Sequence, residues 1–122
     1  RRSSDLGEQL RDLTYVDDVV NAFLLAAENA SRPDVAGRVF NIGGSPPARL
    51  LDLAERLIAA NGGSGHYVVK EFPADRAPID IGSYHADDRA FREATGWAPQ
   101  VGLDEGLRRS LDWYRTRLAD YL

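Results

Sequence analysis

Segments able to form β-strand are few and short in this chain, and they restrict its fold more than any other feature. Residues 10–16 are rich in Leu, Thr, Tyr and Val; residues 38–42 form a short apolar run; residues 66–72 form a third candidate. Helical segments alternate with these and then follow them, in the order strand, helix, strand, helix, strand, helix, helix. Such alternation specifies an α/β fold and not a helical bundle. Strands so few and short cannot make a self-sufficient doubly wound sheet. At least one is therefore expected to extend a sheet belonging to a larger whole.

The helices are read from apolar spacing. In residues 17–29, Val16, Val19, Val20, Phe23, Leu24 and Ala27 recur at three- and four-residue intervals as one apolar stripe. Asp17 and Asp18 open this helix, where carboxylates complement the macrodipole, and Ser31-Arg32-Pro33 ends it. Gly43-Gly44-Ser45-Pro46-Pro47 breaks the second strand. A second helix is expected over residues 48–60, with Leu50, Leu53, Ala54, Leu57 and Ile58 inward and Asn61-Gly62-Gly63 as its stop. A Pro-punctuated loop covers residues 73–83. Residues 87–95 form a short helix with Asp87 as N-cap and Gly96 at its end. Trp97-Ala98-Pro99 makes the next turn. The last helix runs over residues 104–119, with Leu107, Leu111, Tyr114 and Leu118 on one side.

Composition narrows the class. Of 122 residues, 43% are apolar and 28% charged, a globular and not a disordered balance. A formal net charge of −4 argues against nucleic acid or an anionic membrane as partner, since both call for basic patches. With no cysteine, disulfides and thiolate metal sites are excluded. Their absence fits a reducing cytoplasm, which is the expected location. No apolar run approaches the ~20 residues that span a bilayer, and Arg1-Arg2-Ser3-Ser4-Asp5 has no signal-peptide core. The chain opens without methionine and contains none, so it is read as a portion of a longer protein.

Several segments could carry chemistry. Arg11 lies beside a strand that runs straight into a helix, where its planar fork could donate two hydrogen bonds to a phosphate. The other reading is a surface pair with Asp12, which chemistry alone favours. Val39-Phe40-Asn41-Ile42-Gly43-Gly44 ends in glycines that let backbone approach a neighbour closely. It is not G-x-G-x-x-G and has no Walker lysine, so a tight strand-to-helix turn is favoured over a phosphate loop. Residues 73–87 concentrate Arg76, Asp80, Tyr84 and His85. Such a loop could clamp a polar ligand, with carboxylates for ribose hydroxyls and arginine for phosphate, or could be a solvated connector. His66 and His85 are the only histidines and have no H-x-x-x-H spacing. They are read as structural or solvent-facing, against a catalytic pairing of His85 with Asp87.

Five pieces then occur in order along nearly the whole chain. They are Arg11-Asp12-Leu13-Thr14-Tyr15-Val16-Asp17-Asp18-Val19; Val39-Phe40-Asn41-Ile42-Gly43; Ile79-Asp80 with Tyr84-His85-Ala86-Asp87; Gly96-Trp97-Ala98-Pro99 with Leu103-Asp104-Glu105-Gly106-Leu107; and Trp113-Tyr114. In this order they resemble the second half of an extended short-chain dehydrogenase/reductase, in its nucleoside-diphosphate-sugar epimerase and dehydratase branch. The resemblance implies a small mixed α/β substrate-binding domain over residues 1–122, with few short strands and four helices. It implies that Arg11 contacts the diphosphate of a sugar nucleotide, that the Arg76 and Asp80 region holds ribose or phosphate, and that Tyr84 lies beside the same ligand. It further implies NAD(P), bound in an amino-terminal Rossmann half missing from this chain, and a homodimeric parent.

The departures from the family pattern matter. Arg76 lies four residues before Asp80, where the family often has three, and Ile79 replaces a glycine. Arg49 stands where a Ser or Thr usually caps the second helix, which leaves Ser45 or a solvated turn to serve its first N–H groups. The glycine-rich cofactor turn and the Tyr-x-x-x-Lys catalytic pair are absent. Tyr67 and Lys70, the sole lysine, give Tyr-x-x-Lys. The family's chemistry needs NAD(P) held against the sugar, with that tyrosine as acid/base. No catalytic, cofactor or metal residue is therefore expected here. The expected role is nucleotide-sugar recognition; the alternatives are a stand-alone binding or interaction module and an inert structural fragment.

Overall fold

The computed structural model describes residues 7–44, 46–70, 73 and 81–121. Its elements are β1 (Leu10–Arg11), α1 (Val16–Glu28), β2 (Ala48–Arg49), α2 (Leu50–Ala60), α3 (Arg89–Thr95) and α4 (Leu103–Arg115), followed by a 3-10 turn at Leu118–Asp120. β1 and β2 pair antiparallel, Leu10 opposite Arg49 and Arg11 opposite Ala48. The expected mixed α/β class with four helices is therefore present. The chain divides into two units. The first comprises Arg1–Arg11, Ala48–Tyr84 and Asp104–Leu122, and the second Asp12–Pro47 and His85–Leu103.

The strand expectations need correction. Residues 10–16 contract to β1, and neither 38–42 nor the described residues 66–70 join a ladder. Residues 71 and 72 lie outside the described residues. At 38–42 the side-chain alternation of a strand is nonetheless present. Phe40 and Ile42 pack on the core while Val39 is 96% exposed. What is missing among the described residues is a neighbouring strand to complete the ladder.

In the second unit, Ala22, Phe91 and Trp97 form the buried centre, with Leu25, Ala26, Phe40 and Ile42 packed around it. The Phe91 ring lies 5.4 Å from that of Phe40 and 5.8 Å from that of Trp97, tilted in both pairs. α1 turns Asp18, Ala22, Leu25 and Ala26 inward. Most of its expected apolar stripe faces out, with Phe23 72% and Leu24 58% exposed. The small side chains of Ala22 and Ala26 allow close approach of the aromatic rings, which bulkier Phe23 and Leu24 would prevent. Asp18 is tolerated inside because both carboxylate oxygens accept backbone N–H groups, from Gln100 at 2.9 Å and Val101 at 3.0 Å. The Asp18 carbonyl accepts the Trp97 indole N–H at 3.0 Å.

The ends of α3 follow from its flanking residues. Gly96 adopts φ 73° and donates its N–H to the Arg92 carbonyl, closing the helix as expected. The helix begins at Arg89, later than expected, yet Asp87 Oδ1 accepts the Arg89 N–H at 3.2 Å and so still serves its first turn.

The Gly43-Gly44 turn does bring backbones together. A Cβ on Gly44 would sit 2.6 Å from the Leu13 carbonyl carbon, and one on Gly43 2.9 Å from Asp12 Oδ2. That Asp12 oxygen accepts the Ala86 N–H at 2.8 Å. Since backbone cannot swing aside as a side chain can, Gly44→Ala is expected to destabilise by about 1–3 kcal/mol, the range for overpacking. Urea denaturation of the variant against wild type checks this.

In the first unit, β2 occupies Ala48–Arg49, where helix was expected, and α2 starts at Leu50. Its opening N–H groups find backbone acceptors: Leu50 donates to Gln9 at 3.1 Å and Leu51 to Gly7 at 2.9 Å. This cap replaces the expected one; Ser45 lies outside the described residues. At the other end, Gly62 donates to Ala59 and Gly63 to Ile58, with positive φ at both glycines, a Schellman stop. α4 ends at Arg115, short of the expected residue 119. The chain there turns so that Tyr121 meets the Trp113 and Tyr114 rings edge-on, at 5.9 and 5.4 Å.

Candidate functional site

The candidate site in the first unit is built on β1. Leu10 donates its N–H to Ser83 Oγ at 3.1 Å, and its carbonyl accepts the Tyr84 N–H at 3.0 Å. Residues 82–84 are thereby laid along β1. Arg11 Nη1 donates to the Leu10 carbonyl at 2.7 Å and to the Gly82 carbonyl. Two of the expected binding residues, Arg11 and Tyr84, are thus gathered on one short edge, with Tyr84 half exposed. Arg76 and Asp80 lie outside the described residues.

The charges on this edge differ in kind. Arg49, across the ladder from Leu10, is paired with Asp52 at 2.6 Å and Glu8 at 3.1 Å. Those hydrogen bonds, Asp52 first, raise its pKa further, and its charge is neutralised locally. The partners of Arg11 among the described residues are neutral carbonyls. Asp12, the other partner open to it in sequence, instead accepts the Ala86 N–H. Arg11 Nε and Nη2 make no hydrogen bond to the described residues. That side of the guanidinium is the fork that meets two anionic oxygens at once.

Gln9 carries no motif and stands outside the expected site residues. It lies two residues before Arg11 and is 6% exposed, and its side-chain oxygen has no hydrogen-bond partner among the described residues. Its only sequence signal is that spacing, which puts both side chains on one side of an extended segment.

His66 and His85 are exposed, and Asp87 bonds the Arg89 guanidinium at 2.6 Å. The Arg89 side chain first, and its backbone N–H second, hold the Asp87 carboxyl at about 2. No group of three or more His, Asp or Glu able to hold a metal occurs among the described residues. No helix described is long and apolar enough to cross a membrane.

Comparison with known proteins bears directly on these residues. Residues 4–43, which include Gln9, Arg11 and all of α1, match the NAD dependent epimerase/dehydratase family. The UDP-glucose 4-epimerase of Mycolicibacterium smegmatis is 32% identical over 111 residues, covering 91% of this chain and 33% of that protein. The structure of UDP-glucose 4-epimerase with UDP-glucose from Thermotoga maritima is similar at TM-score 0.74 and 32% identity, over 92% of this chain and 33% of that one. The structure of UDP-glucuronic acid 4-epimerase from Bacillus cereus, in complex with UDP-glucuronic acid and NAD, is similar at TM-score 0.70 and 28% identity, over 91% and 33%. This chain spans about a third of the length of these relatives. Motif order, α/β architecture and these likenesses agree: residues 4–43 resemble the NAD dependent epimerase/dehydratase family, and most of the chain is similar to about a third of each of these sugar epimerases.

Proposed function

We propose that residues 1–122 recognise a nucleoside-diphosphate sugar, as the carboxy-terminal portion of a cytoplasmic, homodimeric NAD(P)-dependent sugar epimerase or dehydratase. The observation that carries this reading is the Arg11 guanidinium, fixed on one side by the carbonyls of Leu10 and Gly82, with no hydrogen bond from Nε or Nη2 to the described residues. A diphosphate is the ligand that such a fork suits, since its oxygens can take two parallel charge-assisted hydrogen bonds. Tyr84 lies beside the same ligand, and the Arg76 and Asp80 region takes ribose or phosphate. Structures similar to this chain carry UDP-glucose or UDP-glucuronic acid, which supports the choice of ligand class.

NAD(P) belongs to the Rossmann half of the parent and, when bound, supplies reversible oxidation of a sugar carbon. The residues of this chain bind the sugar nucleotide and orient it. A surface suited to docking that half is the outward face of α1, with Val16, Val20, Phe23 and Leu24 exposed. An apolar groove lined by Ala22, Phe23, Ala26, Phe40, Ile42 and Phe91 adjoins it.

The test is affinity for sugar nucleotides in the complete enzyme. Arg11→Ala is expected to weaken binding by about 1.5–3 kcal/mol, the range for hydrogen bonds to charged groups. Cofactor affinity should stay nearly unchanged. Arg11→Lys should recover only part of the loss, because a point charge lacks the fork. Calorimetric titration reads both ligands; an Arg11→Ala enzyme that binds substrate as tightly as wild type refutes the assignment.

A further inference from the structure

We infer that Asn61 is a site of spontaneous deamidation, held in check by its hydrogen bonds to Arg115 and Ser64. Of the asparagines in the chain, Asn21, Asn29, Asn41 and Asn61, only the last precedes a glycine. Deamidation begins when the backbone nitrogen of the following residue attacks the side-chain carbonyl carbon. A following glycine has no Cβ to hinder that approach, and its backbone is free to adopt the geometry required. Gly62 and Gly63 are exposed, and a Cβ on either would meet nothing within 4 Å. Water therefore reaches this turn.

The folded chain restrains both reacting groups. The nucleophile is the Gly62 nitrogen, whose N–H donates to the Ala59 carbonyl at 3.0 Å in the stop of α2. The electrophile is the Asn61 carboxamide, and it is held at both ends. Nδ2 donates to the Ser64 carbonyl at 3.0 Å, and Oδ1 accepts Arg115 Nη2 at 2.8 Å. Turning the carboxamide onto the Gly62 nitrogen breaks both bonds. A guanidinium also polarises the carbonyl it binds, which favours attack. That help is lost once the side chain turns away, so restraint prevails.

When the turn opens, the Gly62 nitrogen releases its proton to water and bonds to Asn61 Cγ. Nδ2 takes up a proton and leaves as ammonia, and a cyclic imide remains. Water then adds to one imide carbonyl, and the bond from that carbon to nitrogen breaks. One opening gives aspartate and the other isoaspartate. In either case an amide and one water become a carboxylate and ammonium. Aspartate places negative charge at the carboxy-terminal end of α2, where the helix dipole disfavours it, with Arg115 beside it as an offsetting cation. Isoaspartate lengthens the backbone within the turn, so Gly62 and Gly63 lose their register with Ala59 and Ile58.

The complete protein tests this by incubation at neutral pH, folded and in urea. Mass spectrometry of the peptide containing residue 61 follows the reaction. Wild type is expected to react at Asn61 faster in urea than when folded. Folded Arg115→Ala is expected to react about two- to fivefold faster than folded wild type. That is the effect of losing a contact from an exposed charge, since Arg115 is about half exposed. Equal rates in the two folded proteins overturn the inference, as does an Asn61 that stays intact in urea. An acceleration no larger than the rise in the globally unfolded fraction, read from urea denaturation, also overturns it, because global unfolding and not the Arg115 bond would then set the rate.

Discussion

Asp18→Ala is expected to destabilise the fold by about 2–4 kcal/mol, because it strips the acceptors from two backbone N–H groups at once. Asp18 is 3% exposed, and its two carboxylate oxygens take the N–H groups of Gln100 and Val101 separately. Its place in the first turn of α1 adds a favourable interaction with the helix dipole. That contribution is smaller, about 0.3–1 kcal/mol, so the hydrogen bonds decide the outcome. The loss stays below the full cost of two orphaned donors because Gln100 is exposed and its N–H can turn to water. Asp18→Asn tests the mechanism more finely. It keeps one acceptor but sets an NH₂ group against the other N–H, and an amide nitrogen cannot accept. Its expected cost is about 1–2 kcal/mol, roughly one bond. Urea denaturation measures both; an Asn variant as stable as wild type would show that one carboxylate oxygen is dispensable.

These bonds also explain why the motifs were readable while much of the packing was not. The segment ending in Val16-Asp17-Asp18 and the segment Gly96-Trp97-Ala98-Pro99 are far apart in sequence, yet Asp18 binds Trp97, Gln100 and Val101. The glycine turn after Phe40 is likewise seated against Asp12, Leu13 and Ala86. Much of what makes the family resemblance legible is thus the set of residues that hold the second unit together.

α1 was legible because its period is long and local; the expected residues 17–29 differ by one at each end from Val16–Glu28. Which of its faces is buried was not legible. Periodicity ranks residues by apolarity, whereas packing selected the small Ala22 and Ala26 and a carboxylate with specific donors. Strand pairing failed for a similar reason, since a ladder depends on a partner that local pattern does not reveal. The cap of α2 comes from the backbone of Gly7 and Gln9, which no side-chain signature announces. At the candidate site, Arg11 and Tyr84 could be named from motif residues. Gln9 has no charge or motif of its own, and only the burial of its side-chain oxygen without a partner among the described residues distinguishes it.

Trp97→Ala should cost more than any of the substitutions above, about 3–5 kcal/mol, as expected for truncating a fully buried aromatic side chain. Trp97 is 1% exposed and packs at a tilt against Phe91, which in turn meets Phe40. Removing the indole leaves a cavity in a core whose buried members among the described residues are few, so little remains there to collapse into it. It also removes the N–H that binds the Asp18 carbonyl. Arg92 lies 5.6 Å over the ring, and that contact adds only about 0.5–1 kcal/mol. Packing therefore dominates, and Trp97→Phe provides the check. It restores most of the ring but no N–H, so its cost should fall to about 1–2 kcal/mol, the lost hydrogen bond and a small residual cavity. If denaturation finds Trp97→Phe as damaging as Trp97→Ala, the indole hydrogen bond to Asp18 outweighs the packing, and packing is the lesser contribution of this side chain. Because Asp18 and Trp97 fasten the same turn to α1, combining Asp18→Ala with Trp97→Phe should depart from additivity by about 0.5 kcal/mol or more.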